Sequence, residues 1–389
     1  MPMKPIYFDY ASTTPADKEV AALMADTMVR CFGNPSSVHS FGREALALVA
    51  KARRQLAELV GARPQEIVYT SGGSESDNLA LKGAAYARRQ RGNHIITTAI
   101  EHHALLHSCK QLEEQGFAVT YLQPDNDGWI DPAEVAAALR DETILISVMF
   151  ANNEVGTVQP IREIGALARD RGIWFHTDAV QAAGHLPIDV AAMNIDLLSL
   201  SGHKFYGPKG IGALYVRSGI RLEPQIAGGA QEWGLRAGTE NVPGIAGLGL
   251  AAQKAQAEQE NENKRLGKLS ERLIARIEAE LPLARLNGHR EKRLPGNVNF
   301  SFLGISGESL LLNLDMAGIA ASSGSACAAG SLEPSHVLLA MGLSSELARS
   351  SLRISLGREN TAAEIDYLAD QIVAVVRRLE DMKASGSWR

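Results

Sequence analysis

The feature that most constrains this chain is the alternation, from Glu66 to Asp178, of short apolar runs with longer segments of helical periodicity. Strand-like runs fall at Glu66–Thr70, His94–Thr98, Ala118–Leu122, Ile144–Met149 and Ile173–Asp178. Helical patterns fill the gaps at Leu79–Arg91, at His103–Glu114, after Asp131-Pro132 and at Ile161–Arg171. Strand followed by helix, repeated this often, predicts an α/β protein with a mainly parallel sheet and helices on both faces. Ligands of such sheets bind beyond the carboxyl ends of the strands. Ser74, His102, Asn153, Asp178, Gln181, His203 and Lys204 all fall at predicted strand ends.

The flanking sequence predicts a second unit. An extended run from Ile6 leads to a helix near Ala16, and helical periodicity returns from Gly42 to Val60 after the break at Gly33-Asn34-Pro35. After Val216 a Gly-rich region, Gly228 to Asn241, precedes one long helix from Val242 to about Glu280. The middle of that helix, Glu258 to Lys264, is the expected crossing into a smaller α+β domain. That domain holds strands at Gly296–Phe302 and Leu352–Leu356 and helices at Ser309–Ala317 and Ala362–Lys383. The expected division is 15–261 for the large domain and 1–14 with 262–389 for the small one.

A net charge of -5 on 389 residues argues for neither a nucleic-acid nor a membrane partner. No apolar run approaches the roughly 18 residues of a membrane span. No apolar segment with a cleavage site follows Met1, so a cytoplasmic protein is expected. The three cysteines, Cys31, Cys109 and Cys327, show no metal-ligand spacing or close pairing. Cys31 and Cys109 read as small buried hydrophobes.

The chemistry starts at Ser201-Gly202-His203-Lys204, followed by Gly207-Pro208-Lys209-Gly210. The tight backbone would aim the Lys204 amine, and an aimed amine can form a Schiff base. A surface loop with two solvated lysines is the ordinary alternative. Ser71-Gly72-Gly73-Ser74, between a strand and a helix, would present backbone N–H groups to a phosphate, or be a plain helix cap. Asp178, at the end of a buried strand, suits the protonated ring nitrogen of pyridoxal phosphate, with Lys204 as the cofactor's anchor. Its own alternative is a helix cap before Ala179. His102 would stack on the cofactor ring and shuttle protons, or be a surface residue.

The stretches Gly33-Asn34-Pro35-Ser36-Ser37, Thr70-Ser71-Gly72-Gly73-Ser74-Glu75, Glu101-His102, Asn152-Asn153-Glu154-Val155-Gly156, His176-Thr177-Asp178-Ala179-Val180-Gln181, Ser201-Gly202-His203-Lys204 and Arg236-Ala237-Gly238-Thr239-Glu240-Asn241 together resemble the NifS/IscS-type cysteine desulfurases. The likeness runs from about Tyr7 to Gly357. It implies the aminotransferase-like fold, with a mainly parallel seven-stranded sheet and a smaller α+β domain, and a pyridoxal 5'-phosphate cofactor. By that resemblance Lys204 holds the cofactor, Asp178 meets the ring nitrogen, Gln181 the phenolic oxygen and His102 the ring face. The phosphate lies against Gly73, Ser74, Ser201 and His203, with Thr239 reaching in from the other subunit of a homodimer. Asn153 and Arg353 hold the substrate carboxylate. Ser74 stands where relatives often carry Thr, and either hydroxyl can bond phosphate.

The fold alone leaves open an aminotransferase, a selenocysteine lyase or an inactive assembly platform. Cys327 selects among them, because it lies in Ala321-Ser322-Ser323-Gly324-Ser325-Ala326-Cys327, a run of small residues unlike a core strand. With Leu332-Glu333-Pro334-Ser335-His336 after it, the run resembles the catalytic loop of the NifS and IscS group. The implied reaction converts L-cysteine to L-alanine and leaves a persulfide on Cys327. The expected acceptor is an iron-sulfur cluster scaffold, with transient iron contact through that persulfide.

Overall fold

The computed structural model describes residues 5–323 and 333–385. Seven strands form one sheet in the order Ile67–Thr70, Gly212–Val216, Leu197–Ser201, Trp174–Asp178, Thr143–Ser147, His94–Thr98 and Ala118–Leu122. Gly212–Val216 runs antiparallel to both of its neighbours, and every other pair is parallel. The mainly parallel sheet of the sequence reading is present. Its central strands are buried along their whole length, which is why they read as continuous apolar runs rather than as alternating ones.

Successive parallel strands need crossovers, and the helices Gly73–Arg88, His103–Glu113, Pro132–Ala137 and Ile161–Asp170 supply them. The first of these differs from expectation: it starts at Gly73, six positions before Leu79. Gly and Ser are weak helix formers that favour helix starts, so the sequence pattern put the first turns into the preceding loop.

The 39-residue helix Val242–Glu280 spans about 58 Å. Its first half gives Ile245, Leu248 and Ala252 to the apolar cluster beneath the large sheet. Its second half gives Leu266, Leu273 and Ile277 to another cluster, with Phe300, Ile354 and Ile372. That second cluster is built on a three-stranded antiparallel sheet, Ser351–Ser355, Asn297–Phe302 and Ala284–Leu286, with the helices Gly307–Met316 and Ala362–Ala384. Ile6–Tyr7 pairs in parallel with Ile319–Ala320, and Phe8 joins the second cluster. On this ground we propose the division at residue 261, with residues 1–14 assigned to the smaller unit.

Cys31 and Cys109 are buried, as expected of small hydrophobes, and burial pushes both thiols up.

Candidate active site

A cavity of about 310 Å³ opens beyond the carboxyl ends of the central strands. Gly73, Ser74, His102, Asn153, Asp178 and Gln181 line it. So do Ser201, His203, Lys204 and Arg353, which come from other strand ends and from the smaller unit. Thr239 is not among its lining residues in the same protomer. It lines a separate space of about 190 Å³ with Tyr69, Thr70, Arg236 and Glu240. Cys327, with its expected persulfide and iron contact, lies outside the described residues. Among the described residues, no group of three or more His, Cys, Asp or Glu is placed to hold a metal ion.

Lys204 ends a short 3-10 turn, Gly202–Lys204, directly after the strand Leu197–Ser201. The turn is as tight as the sequence suggested, since a Cβ on Gly207 would sit 2.7 Å from the Gly202 carbonyl oxygen. The Lys204 Nζ donates to the carbonyls of Ala11 at 2.6 Å and Ser12 at 2.9 Å. Its amine is therefore aimed and held.

Asp178 is the last residue of its strand, and its Oδ1 accepts the Val180 N–H at 2.8 Å. The cap-like bond and the cavity position coexist. Burial pushes the carboxyl up to about 6, against the pull of the Val180 amide and the Lys204 charge. Behind it, Asp77 is 1% exposed, and its Oδ1 has no hydrogen-bond partner. Burial, then the Asp178 charge, drive Asp77 towards its protonated form. Nearby His176 bonds the hydroxyls of Ser147 at 2.8 Å and Ser199 at 3.0 Å, and burial lowers it to about 3.

His102 caps the helix His103–Glu113 by accepting the Ala104 N–H on Nδ1 at 3.1 Å. Burial, then the charge of Lys204 and the adjoining imidazoles, bring it down to about 4. At neutral pH it is a neutral ring with its proton on Nε2. His203 is likewise lowered to about 4, by burial first and Lys204 next, and shares a hydrogen bond of 3.1 Å with the Thr13 hydroxyl.

Gly73 and Ser74 form the first turn of a 16-residue helix, whose free N–H groups and dipole suit an anion. A Cβ on Gly73 would lie 2.6 Å from Val180 Cγ2, so this turn accepts only glycine without repacking. Arg353 is 2% exposed. It donates through Nη2 to Asp9 Oδ1 at 2.9 Å and Ser12 Oγ at 2.6 Å, and through Nη1 to the Asn153 carbonyl at 3.2 Å. Its Nε has no partner. Gln181 donates to the Ala11 carbonyl at 2.9 Å.

Asp9, Ala11, Ser12 and Asp77 are the participants that sequence reasoning missed. Ala11 acts through a carbonyl that no side chain advertises, and Asp77 reads as one more polar residue on a helix. Two further carboxyls close the back of the region. Glu101 accepts from the Thr98 hydroxyl at 2.8 Å and the Met149 N–H at 2.9 Å, and burial pushes it up to about 8. Glu154 accepts from the Ser335 hydroxyl at 2.5 Å, and burial pushes it up to about 7.

The donor set fits pyridoxal phosphate on physical grounds. It offers an aimed primary amine, a carboxylate, a neutral imidazole and a helix N-terminus where glycine keeps the floor open.

The family model for aminotransferase class V matches residues 6–368. The cysteine desulfurase IscS of Clostridium botulinum is 53% identical over 381 residues, covering 97% of this chain and 96% of that relative. The cysteine desulfurase IscS of Methanosarcina thermophila is 54% identical over 379 residues, covering 97% and 94%. Among solved structures, a NifS-like protein superposes with a TM-score of 0.90 at 37% identity, covering 96% of this chain and all of that one. SspA in complex with cysteine superposes with a TM-score of 0.80 at 44% identity, covering 90% and 98%. The chain therefore belongs to the class V aminotransferase family, and within it to the NifS/IscS-type cysteine desulfurases.

Proposed function

We propose that this pyridoxal phosphate enzyme converts L-cysteine to L-alanine and takes up the sulfur on Cys327 as a persulfide, for iron-sulfur cluster assembly. The observation that carries this reading is the meeting, in one cavity, of Lys204, Asp178, His102 and Arg353 from four separate stretches of the chain. The desulfurase names of the relatives and the cysteine bound to SspA support L-cysteine as the substrate.

Bound in this cavity, pyridoxal phosphate supplies a ring that accepts the electron pair left at the substrate's α-carbon. Lys204 would anchor it and Asp178 would pair with the ring nitrogen. His102 would face the ring, Gln181 would reach the phenolic oxygen, and Gly73, Ser74, Ser201 and His203 would hold the phosphate. Arg353 and Asn153 hold the substrate carboxylate, for which a guanidinium fork is well shaped. The Lys204 amine takes the proton from the α-carbon, and the carbonyls of Ala11 and Ser12 keep that nitrogen in place. The Cys327 thiolate attacks the substrate sulfur, so that a sulfur–sulfur bond forms as the carbon–sulfur bond breaks. Protonation at the carbon that lost sulfur, and return of a proton from the Lys204 amine to the α-carbon, give alanine, so the atoms of L-cysteine and one thiol are all accounted for.

The working unit is a homodimer. Met28, Val29 and Phe32 at the end of the helix Lys18–Arg30, with Val38, Phe41 and Leu46 at the start of Ser40–Val60, are exposed apolar residues. The rings of Phe32 and Phe41 lie 5.3 Å apart. A clustered apolar surface of this kind suits an interface. Across it, Thr239 of one protomer would reach the phosphate held by its partner. The sulfur acceptor would be an iron-sulfur scaffold protein in the cytoplasm. No helix among the described residues is long and apolar enough to cross a membrane.

Cys327→Ser tests the reading directly. The variant should keep the bound-cofactor absorbance and bind L-cysteine, yet release neither alanine nor sulfide. Normal release of both would overturn the persulfide role.

A further inference from the structure

The loop that carries Thr239 is held in a conformation its residues disfavour. Glu232 and Trp233 both take left-handed backbone angles, with φ 45° and ψ 43° at Glu232 and φ 57° and ψ 29° at Trp233. Side-chain-bearing L-residues avoid that region, and glycines stand close by on either side of the pair. The loop therefore keeps these two side chains in spite of the strain.

Both of them meet one cation. Arg53, on the helix Ser40–Val60, donates to Glu232 through Nη1 to Oε2 at 2.9 Å and Nη2 to Oε1 at 2.6 Å. The Tyr69 N–H adds a bond of 2.9 Å to the same carboxylate. The guanidinium lies between two rings, 4.5 Å from the centroid of Tyr69 and 4.6 Å from that of Trp233. The Arg53 and Glu232 side chains are 13% and 4% exposed, so solvent screens the pair little. Glu232 is held by a charge-assisted fork and Trp233 by its ring face. Further along, Arg236 Nε meets Glu75 Oε1 at 3.0 Å, while Glu75 Oε2 accepts the Ser71 N–H at 2.8 Å. The loop is thus tied at two points before it reaches Thr239. Neither Arg53 nor Glu232 lines the 310 Å³ cavity of its own protomer.

We propose that Arg53 and Glu232, with the Trp233 ring, form a positioning device that works across the dimer, holding the loop in the shape that presents Thr239 to the cofactor phosphate of the partner protomer. This rests on the homodimer reading above. Without the guanidinium, the Glu232 carboxylate keeps only the Tyr69 N–H and Trp233 loses its cation, so the loop that carries Thr239 is released from the strained shape.

Mixed dimers of differently tagged chains test it. Apoprotein is titrated with pyridoxal phosphate, and binding is read from visible absorbance. Lys204→Ala in one chain leaves a single readable cavity per dimer. With Arg53→Met on the Lys204→Ala chain, the altered loop serves the readable cavity, and the apparent Kd should rise roughly tenfold or more. With Arg53→Met on the other chain, the Kd should match the dimer carrying Lys204→Ala alone. A loss confined to the second arrangement, or equal in both, overturns the proposal. Thr239→Ala in the same two arrangements separates it from the reading beneath it. Loss across the dimer with Thr239→Ala but none with Arg53→Met removes the positioning role and leaves the shared site standing. No loss across the dimer with either variant removes both. If Arg53→Met fails to fold, Glu232→Gln and Arg53→Lys, which keeps the charge but not the fork, are read in the same arms and decide it the same way.

Discussion

Two cavities lie at opposite ends of the large sheet, and the site proposed above is in the smaller one. A space of about 540 Å³ opens at the amino ends of the strands, against Glu66, Trp174 and Asp196. The space at the carboxyl ends measures about 310 Å³. In the larger cavity the charges are paired off. Arg63 meets Glu66 at 2.9 Å and Arg217 meets Asp196 at 2.5 Å. The Ser218 N–H shares Glu66 Oε1 with Arg63, the Arg63 N–H takes Glu66 Oε2, and the Phe175 N–H takes Asp196 Oδ2. In the smaller cavity Asp77 Oδ1 and Arg353 Nε have no hydrogen-bond partner, and the Lys204 amine is held by carbonyls. Buried polar groups without partners are costly, and here two of them stand beside an aimed amine, leaving bonding for a ligand to complete. Unfinished bonding, rather than volume, supports the site proposed above.

The sharpest way to break this comparison is Lys204→Ala. It should abolish the visible absorbance of bound cofactor and cut alanine release by roughly 10²–10⁴-fold. A variant with normal bound-cofactor absorbance would sink the anchor assignment. Asp178→Asn comes next, with turnover down on the order of 10²-fold and the cofactor still bound; steady-state kinetics with unchanged kcat would remove Asp178 from the ring nitrogen. Arg353→Lys should raise KM for L-cysteine about tenfold with a smaller change in kcat, because it loses the fork but not the charge. A change in kcat alone would place Arg353 outside substrate binding.

The fourth test uses pH. Glu101 is raised in the fold, so its contribution to stability is full below its ordinary 4.5 and is lost as pH rises through about 8. Glu154 behaves alike through about 7. His102 and His203 are depressed, so their contribution is full above 6.5 and is lost as pH falls through about 4. Apoprotein Glu101→Gln should therefore escape a loss of about 1–3 kcal/mol between pH 5 and pH 8 that the unaltered apoprotein shows in denaturant melts. Identical slopes would clear Glu101 as the cause. The smallest effect belongs to the larger cavity. Arg217 is half exposed, so Arg217→Ala should cost about 1 kcal/mol or less and leave turnover within roughly twofold. A collapse of activity there would overturn the contrast between the two ends.

The sheet was readable because buried parallel strands leave apolar runs separated by helical periodicity. Lys204, Asp178 and His102 were readable because each stands where such a run stops. The start of the helix at Gly73 was hidden by residues with poor helical propensity. The holders of Lys204 and Arg353 were hidden for a different reason. They are main-chain carbonyls and short side chains at the other end of the sequence, brought in by packing of the smaller unit. The strained pair Glu232 and Trp233 left no trace either, since the surrounding glycines make the whole stretch look like unconstrained loop. Cys327 rests on its sequence context and its resemblance alone.

The pairing of Ile6–Tyr7 with Ile319–Ala320, and of Asp9 with Ser355, sets an order of assembly. A ribosome must add about 300 residues after the first strand before its partner exists, which at the usual rate of synthesis takes tens of seconds. The last strand of the large sheet, Gly212–Val216, is made about 100 residues before Ile319, so the sheet, with the bonds from Gln181 to the Ala11 carbonyl and from the Thr14 N–H to the His203 carbonyl, can form before that partner exists. The nascent chain therefore passes through a stage in which the sheet beneath the cavity can exist while Arg353, the lining residue from the smaller unit, has not yet been made.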